Sequence, residues 1–306
     1  MALSIKEKDA LKEALRAYCA KYPSQNKAAA SINVSSGTIS SILNGKYENI
    51  SDDMFKNIRQ QINAGSADWQ MVSTPTFKDI YFALENAQTT SSVTWVLSPA
   101  GTGKTATAEQ YRRDNSEVYY VLCDDDMRKG DFVRDFAKAV GIKIEGYKRV
   151  REILFMIIDE LNKKEQPLII FDEGDKLKDD VLYYFITIYN HLKDQTGIVF
   201  LSTSFMDRRM QIGLEYDKKG FDELHSRIGR KFYQADTLTA NDIITICMAN
   251  GITDDQTIAD VISDATIAPR DKRSLQKKAS EQSPVYDLRR VTKKIKAIKG
   301  KRSSGK

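Results

Sequence analysis

Ser98-Pro99-Ala100-Gly101-Thr102-Gly103-Lys104-Thr105 is the stretch whose residue types and spacing most directly imply chemistry. It follows the apolar run 93–97 and leads into residues 106–111, which read as a helix, so the order is strand, glycine-rich turn, Lys-Thr, helix. Gly101 and Gly103 let the backbone curl until successive N–H groups point inward at phosphate oxygens, and the helix adds the positive end of its dipole. Ser98, Pro99, Ala100, Gly101, Thr102, Gly103, Lys104, Thr105 and Ala106 would form the cradle. Lys104 would reach the β- and γ-phosphates and the Thr105 hydroxyl would hold Mg²⁺. Ser98 stands where the usual motif has glycine, which predicts a distorted loop rather than a lost one.

The second half of such a site comes at Leu168-Ile169-Ile170-Phe171-Asp172-Glu173. Four apolar residues in a row read as a fully buried parallel strand. Asp172 at its end would face the Mg²⁺ shell. Glu173 would sit beside the γ-phosphate, placed to orient and deprotonate a water. Another apolar run, 197–203, reads as a core strand ending in Thr203, which can bond either the attacking water or the γ-phosphate. Arg227 and Arg230 precede a fifth strand. They suit an arginine finger offered to the phosphate of a neighbouring subunit, or they are ordinary surface arginines. The chain is thus expected to bind and hydrolyse a nucleoside triphosphate.

Composition limits the setting of this chemistry. The 306 residues suffice for more than one domain, and 41% hydrophobic with 29% charged residues describes a soluble globular chain. No apolar stretch approaches a membrane span, and the N-terminus is too charged for a signal peptide. Cys19, Cys123 and Cys247 lie far apart and there are only two histidines, His191 and His225. That excludes a zinc site by spacing and predicts a reducing, cytoplasmic setting. The net charge of +5 belongs to one end: nine of the 47 basic residues and none of the 42 acidic ones lie between Arg289 and Lys306. Such a tail implies nucleic acid or a solvated end.

The elements that must position the site follow in order. Ser4 and Glu7 have capping-box spacing, after which Leu11, Leu15 and Tyr18 share a helical face. Pro23 ends that helix, Ser24 can cap a short second one, and 32–34 makes a tight turn. A third helix runs from about 35 to 43 and stops at Asn44-Gly45; a fourth opens at 51–53. Ala29, Val34, Ile39 and Leu43, with Ser-Gly-Thr-Ile-Ser-Ser opening the third helix, resemble the helix-turn-helix domain of the λ repressor class. Docking as that class does would turn Ser35, Ser36, Thr38 and Ser41 to the major groove and Lys27 and Lys46 to phosphates. The small hydroxylic side chains predict little sequence preference. A helical docking module that never touches DNA is the other reading.

Residues 64–75 read as a linker. A helix over 76–87 then approaches the first strand, where Val72, Thr76 and Phe77 are candidates for base contact or simply core. Arg128 and Lys129 follow a second strand, 118–123, as a DNA-backbone contact or an exposed basic turn. Polar residues 207–220 read as an exposed loop. From 237 the pattern is helix throughout, broken at Gly251, Pro269 and Pro284, which predicts a small helical lid over 237–300 before a basic tail, 301–306.

Taken together, Gly-Thr-Gly-Lys-Thr, Asp172-Glu173, Thr203, the Arg227/Arg230 segment and Leu288-Arg289-Arg290 resemble the AAA+ ATPases over roughly residues 70–300. With the helix-turn-helix domain (1–63) in front, and Phe171-Asp172-Glu173-Gly174-Asp175-Lys176-Leu177, the layout is similar to the phage Mu B transposition protein family. The resemblance implies an α/β P-loop core over 76–236 with a parallel sheet, binding ATP and Mg²⁺, with Arg289 reading nucleotide from the lid. It further implies a largely sequence-neutral double-stranded DNA-binding ATPase. Such a protein forms helical filaments and presents target DNA to a DDE transposase. A helicase loader or replication initiator shares the same core, and a nucleotide-switched helix-turn-helix regulator also fits the motifs.

Overall fold

The structure is a computed structural model that describes residues 5–20, 22, 24–48, 50–64, 69–267 and 284–304. The Ser4 cap, Pro23, the linker residues 65–68, Pro269 and the last two residues of the tail lie outside these. The chain divides into two compact units, Met1–Met71 and Val72–Lys306.

The first unit holds α1 (Ile5–Cys19), α2 (Gln25–Ser31), α3 (Ser36–Leu43) and α4 (Asp52–Ala64). Leu11, Leu15, Ala29, Ile32, Ile39, Ile42, Phe55, Ile58 and Ile62 close a core from all four helices. They recur at helical spacing, so each helix buries one stripe. Ser24 Oγ accepts Lys27 N–H at 3.3 Å and Ser35 Oγ accepts Thr38 N–H at 3.0 Å, which caps α2 and α3.

The second unit is built on α5 (Pro75–Thr90), β1 (Val93–Leu97), α6 (Lys104–Asp114), β2 (Val118–Leu122), α7 (Lys129–Val140), α8 (Val150–Leu161) and β3 (Leu168–Asp172). It continues through α9 (Asp179–Leu192), β4 (Gly197–Ser202), α10 (Phe205–Glu215), α11 (Phe221–Arg227) and β5 (Tyr233–Gln234). The five strands form one parallel sheet in the order β2-β3-β4-β1-β5. Every residue of β3 and β4 is buried, as an unbroken apolar run in a two-sided sheet requires. On one face Trp95 stacks on Phe200 at 4.2 Å between centroids, and Phe200 on Phe171 at 5.0 Å. On the other face Ile80, Leu84, Val96, Tyr111, Ile170 and Leu201 close a second core. Because β4 lies between β1 and β3, its end at Ser202 opens between the Gly-rich turn and Asp172.

Residues 237–304 carry α12 (Ala240–Ala249), α13 (Asp255–Ala265), β6 (Thr266–Ile267), β7 (Val285–Tyr286) and α14 (Leu288–Ser304). Two sequence expectations change here. The stretch expected to be an exposed loop contains α10, whose Met206, Met210 and Gly213 are buried at helical spacing beneath polar neighbours. The region expected to be helical throughout contains an antiparallel pair, Thr266 with Tyr286 and Ile267 with Val285, which joins the end of α13 to the start of α14. Among the described residues no helix is long and apolar enough to cross a membrane.

Gly197 is where α5 and β4 meet most tightly: a Cβ there would lie 2.3 Å from the Ala87 carbonyl oxygen. Backbone cannot swing aside as a side chain can. Gly197→Ala is therefore expected to destabilise the protein by about 1–3 kcal/mol, read as a lowered thermal midpoint.

Candidate nucleotide-binding site

The turn after β1 adopts the curl its glycines allow. Gly101 and Gly103 have φ of +78° and +101°, the left-handed region that residues with a Cβ avoid. Gly103 caps α6 and supplies no side chain to its N–H groups, so the helix opens with unsatisfied donors. That is an anion site in waiting. Ser98 is 2% exposed, and its hydroxyl bonds Thr102 Oγ1 at 2.7 Å while Thr102 donates to the Pro99 carbonyl at 2.9 Å. Ser98 is not among the positive-φ residues. Its position does not demand glycine, and its side chain braces the loop instead of distorting it.

Lys104 Nζ donates to the carbonyls of Ser98 at 2.8 Å and Pro99 at 2.9 Å. Burial pulls its pKa down, Asp172 and Asp175 push it back up, and Arg289 lowers it again. A lysine held in this way favours its charged form once an anion arrives. Asp172 is 0% exposed, and both of its oxygens are bonded. Oδ2 accepts Thr105 Oγ1 at 2.6 Å and Tyr120 OH at 2.8 Å, and Oδ1 accepts Glu173 N–H at 2.9 Å. Burial first, then Asp172, raises the Tyr120 pKa, so the phenol keeps its proton and donates it to the carboxylate. Thr105 and Asp172 form an all-oxygen pair suited to Mg²⁺, which keeps waters and substrate phosphates as its other ligands. Among the described residues no group of three His, Cys, Asp or Glu could hold a metal ion.

Glu173 adopts φ +56°, ψ +37° and is ion-paired with Lys176. Thr203 bonds Asp175: its hydroxyl donates to Oδ2 at 2.5 Å and its N–H at 3.3 Å. Thr76, read as a base-contact candidate, is fully buried and spends its hydroxyl on the Asp236 carbonyl at 2.7 Å. The lid closes on the loop through α14: Leu288 N–H donates to Gly101 O at 2.7 Å, and the Asp287 carboxylate lies against Gly101. Arg289 donates its N–H to Asp287 Oδ1 at 2.8 Å, and its charge is felt by Lys104.

The other candidate residues stand in different settings. The Arg227 guanidinium lies over the Tyr189 ring at 5.2 Å with Nε buried and unbonded. Arg230 is exposed at φ +58° and pairs with Asp222 at 3.0 Å. Arg128 is exposed, whereas the Lys129 ammonium sits over the Tyr184 ring at 5.9 Å. In the first unit Lys27, Ser36 and Lys46 are exposed, and Thr38 Oγ1 bonds Ser35 Oγ at 2.8 Å. Sequence reasoning gave no role to Tyr120, Asp175, Arg209 or Asp287. Asp175 left a faint signal as a third carboxylate within four residues; Tyr120 left none, because its partner is set by strand order.

Substitutions at two positions of the loop separate its bracing from its binding. Ser98→Gly should lower stability by about 1 kcal/mol through the lost Thr102 bond and leave nucleotide affinity within about threefold. Gly101→Ala should weaken nucleotide binding by roughly tenfold or more, because a methyl at positive φ is strained and meets Asp287. Titration with a fluorescent ATP analogue, alongside thermal melts, reads both.

Comparison with known proteins agrees with this geometry. A family described as "AAA domain" matches residues 87–210. The "ATP-dependent target DNA activator B" of Escherichia phage D108 is 25% identical over 205 residues, covering 65% of this chain and 64% of that protein. Its counterpart from Escherichia phage Mu is 27% identical over 156 residues, 49% of each chain. The chain thus spans about half to just under two thirds of the length of these curated relatives. Cdc6p from Pyrobaculum aerophilum is similar in structure with a TM-score of 0.47 and 16% identity, over 62% of this chain and 53% of that one. The Aeropyrum pernix ORC2 protein has a TM-score of 0.47 and 15% identity, over 64% and 57%. These two likenesses are too remote to carry weight. The phosphate loop, the buried Asp172 and the two phage relatives agree: residues 87–210 match an AAA domain, and the chain is similar to the B proteins of phages Mu and D108.

Proposed function

We propose that this chain is an ATPase that binds double-stranded DNA with little sequence preference, forms helical filaments on it and delivers it as target to a DDE transposase. The observation that carries the nucleotide half is the Thr105–Asp172 bond across an uncapped helix N-terminus, the arrangement that Mg²⁺ and a triphosphate would join. In this reading Lys104 neutralises the β- and γ-phosphates, Glu173 takes the water's proton, Arg289 reads the nucleotide from the lid, and Arg227 or Arg230 acts in trans. Mg²⁺, held by Thr105 and Asp172, would supply charge at the phosphates.

The DNA half rests on the name borne by both phage relatives and on the basic α14. The α2–α3 unit would add groove contacts through Ser36 and Thr38 with Lys27 and Lys46 on phosphates, and Arg128 with Lys129 would meet the backbone from the core.

Electron microscopy with random-sequence duplex DNA tests the reading. Continuous filaments are expected with ATP and not with ADP or without nucleotide; closed rings, or binding only to single strands, would count against it. Lys104→Ala should lose the ATP-dependent complex. Glu173→Gln should keep ATP and DNA binding while turnover falls by about 100-fold or more, and wild-type turnover would remove Glu173 from the mechanism.

A further inference from the structure

Tyr120 carries a hydroxyl that packing does not ask for. Its half-buried ring packs against the core that contains Ile170 and Tyr111, and the Arg112 guanidinium lies over it from α6 at 5.8 Å. Phenylalanine would fill that place as well. The hydroxyl instead reaches along the sheet. Strand register sets Tyr120 opposite Ile170 and Leu122 opposite Asp172. Tyr120 and Asp172 are therefore diagonal neighbours on one face, a separation that an aromatic side chain can span. The phenol oxygen lies 2.8 Å from Asp172 Oδ2.

A carboxylate can only accept, so the phenol is the donor. Asp172 receives Tyr120 and Thr105 on Oδ2 and the Glu173 N–H on Oδ1. All three donors are neutral. A lysine or arginine in their place would cancel the charge that draws a cation, whereas neutral donors fix the direction of the carboxylate and leave its charge in place. The Lys104 ammonium is spent on the carbonyls of Ser98 and Pro99. Thr105 gives its one proton to Oδ2, which leaves the lone pairs of its oxygen for a metal. With two donors on one oxygen and one on the other, the carboxylate cannot turn without breaking all three bonds.

Resting on the reading of Thr105 and Asp172 as the Mg²⁺ pair, we propose that Tyr120 is a positioning residue for that ion. Its hydroxyl holds Asp172 in the orientation that the metal meets, and it acts through Asp172 alone. Partners that orient a metal ligand from behind commonly set about 10–100-fold of the metal affinity.

Tyr120→Phe removes the hydroxyl and keeps the ring. The measurement is a Mg²⁺ titration of EDTA-stripped protein held in excess over a fluorescent, non-hydrolysable ATP analogue, so that the nucleotide is bound before metal is added. Half-saturating Mg²⁺ should rise by about tenfold, while affinity for the analogue without metal stays within about twofold of wild type. An unchanged Mg²⁺ requirement would overturn the proposal. So would a metal-free affinity that falls by the same factor, because the hydroxyl would then shape the whole site and not the ion's ligand. Arg112→Ala loosens the ring and leaves the three donors to Asp172 in place. It should raise the Mg²⁺ requirement by about two- to threefold, and it decides the matter if Tyr120→Phe does not fold. Wild-type protein whose bound nucleotide does not respond to Mg²⁺ would sink the metal reading itself, an outcome visible before any variant is made.

Discussion

A carboxylate with no solvent exposure has to be hydrogen-bonded on every side, and Asp172 meets that demand with groups from three separate parts of the chain. Thr105 comes from the start of α6, Tyr120 from β2, and the Glu173 N–H from the residue that follows β3. An unpaired buried carboxylate would cost several kcal/mol, so these three elements cannot drift apart independently. The requirement ties the Gly-rich turn to the strand two places away in the sheet. Most of the site geometry follows from that tie.

The sheet makes the tie possible by inserting β4 between β1 and β3. Its register places Ser202 opposite Leu97 and Leu201 opposite Asp172, so the three strands end nearly level. Trp95, Phe200 and Phe171 pack as a stacked row one layer below, and the Trp95 indole donates to Ser202 Oγ at 2.9 Å. A row of rigid rings leaves little room for one strand to slide past another. The polar layer above inherits that order: the Gly-rich turn, Thr203 and Asp172 stand on this packed floor.

How much of this was legible beforehand depended on whether the information was local. The Gly-rich turn and the β3 run are contiguous in sequence, so their composition reported strand, turn and helix directly. The caps at Ser24 and Ser35 were legible for the same reason, since each involves residues three apart. Tyr120 on Asp172 and Asp175 on Thr203 join residues 52 and 28 positions apart. Those pairs exist only once the strand order is fixed, which no spacing rule supplies. The α10 helix was obscured differently: Asp207, Arg208, Arg209 and Gln211 dominate its composition, and the buried Met206, Met210 and Gly213 form too narrow a stripe to stand out. Ser98 shows the converse error, in which a departure from a motif looked like damage although a hydroxyl replaced what the backbone lacked.

The dock of Leu288 on Gly101 has a mechanical consequence. It is the foot of a helix that runs without interruption from Leu288 to Ser304 and carries lysines 293, 294, 296 and 299 along its length. Seventeen residues make a rod about 25 Å long. A rod of that length pivoting at its foot carries its tip about 4 Å for every ten degrees of tilt. The contact with the phosphate loop is therefore the fulcrum of a rod whose far end bears positive charge.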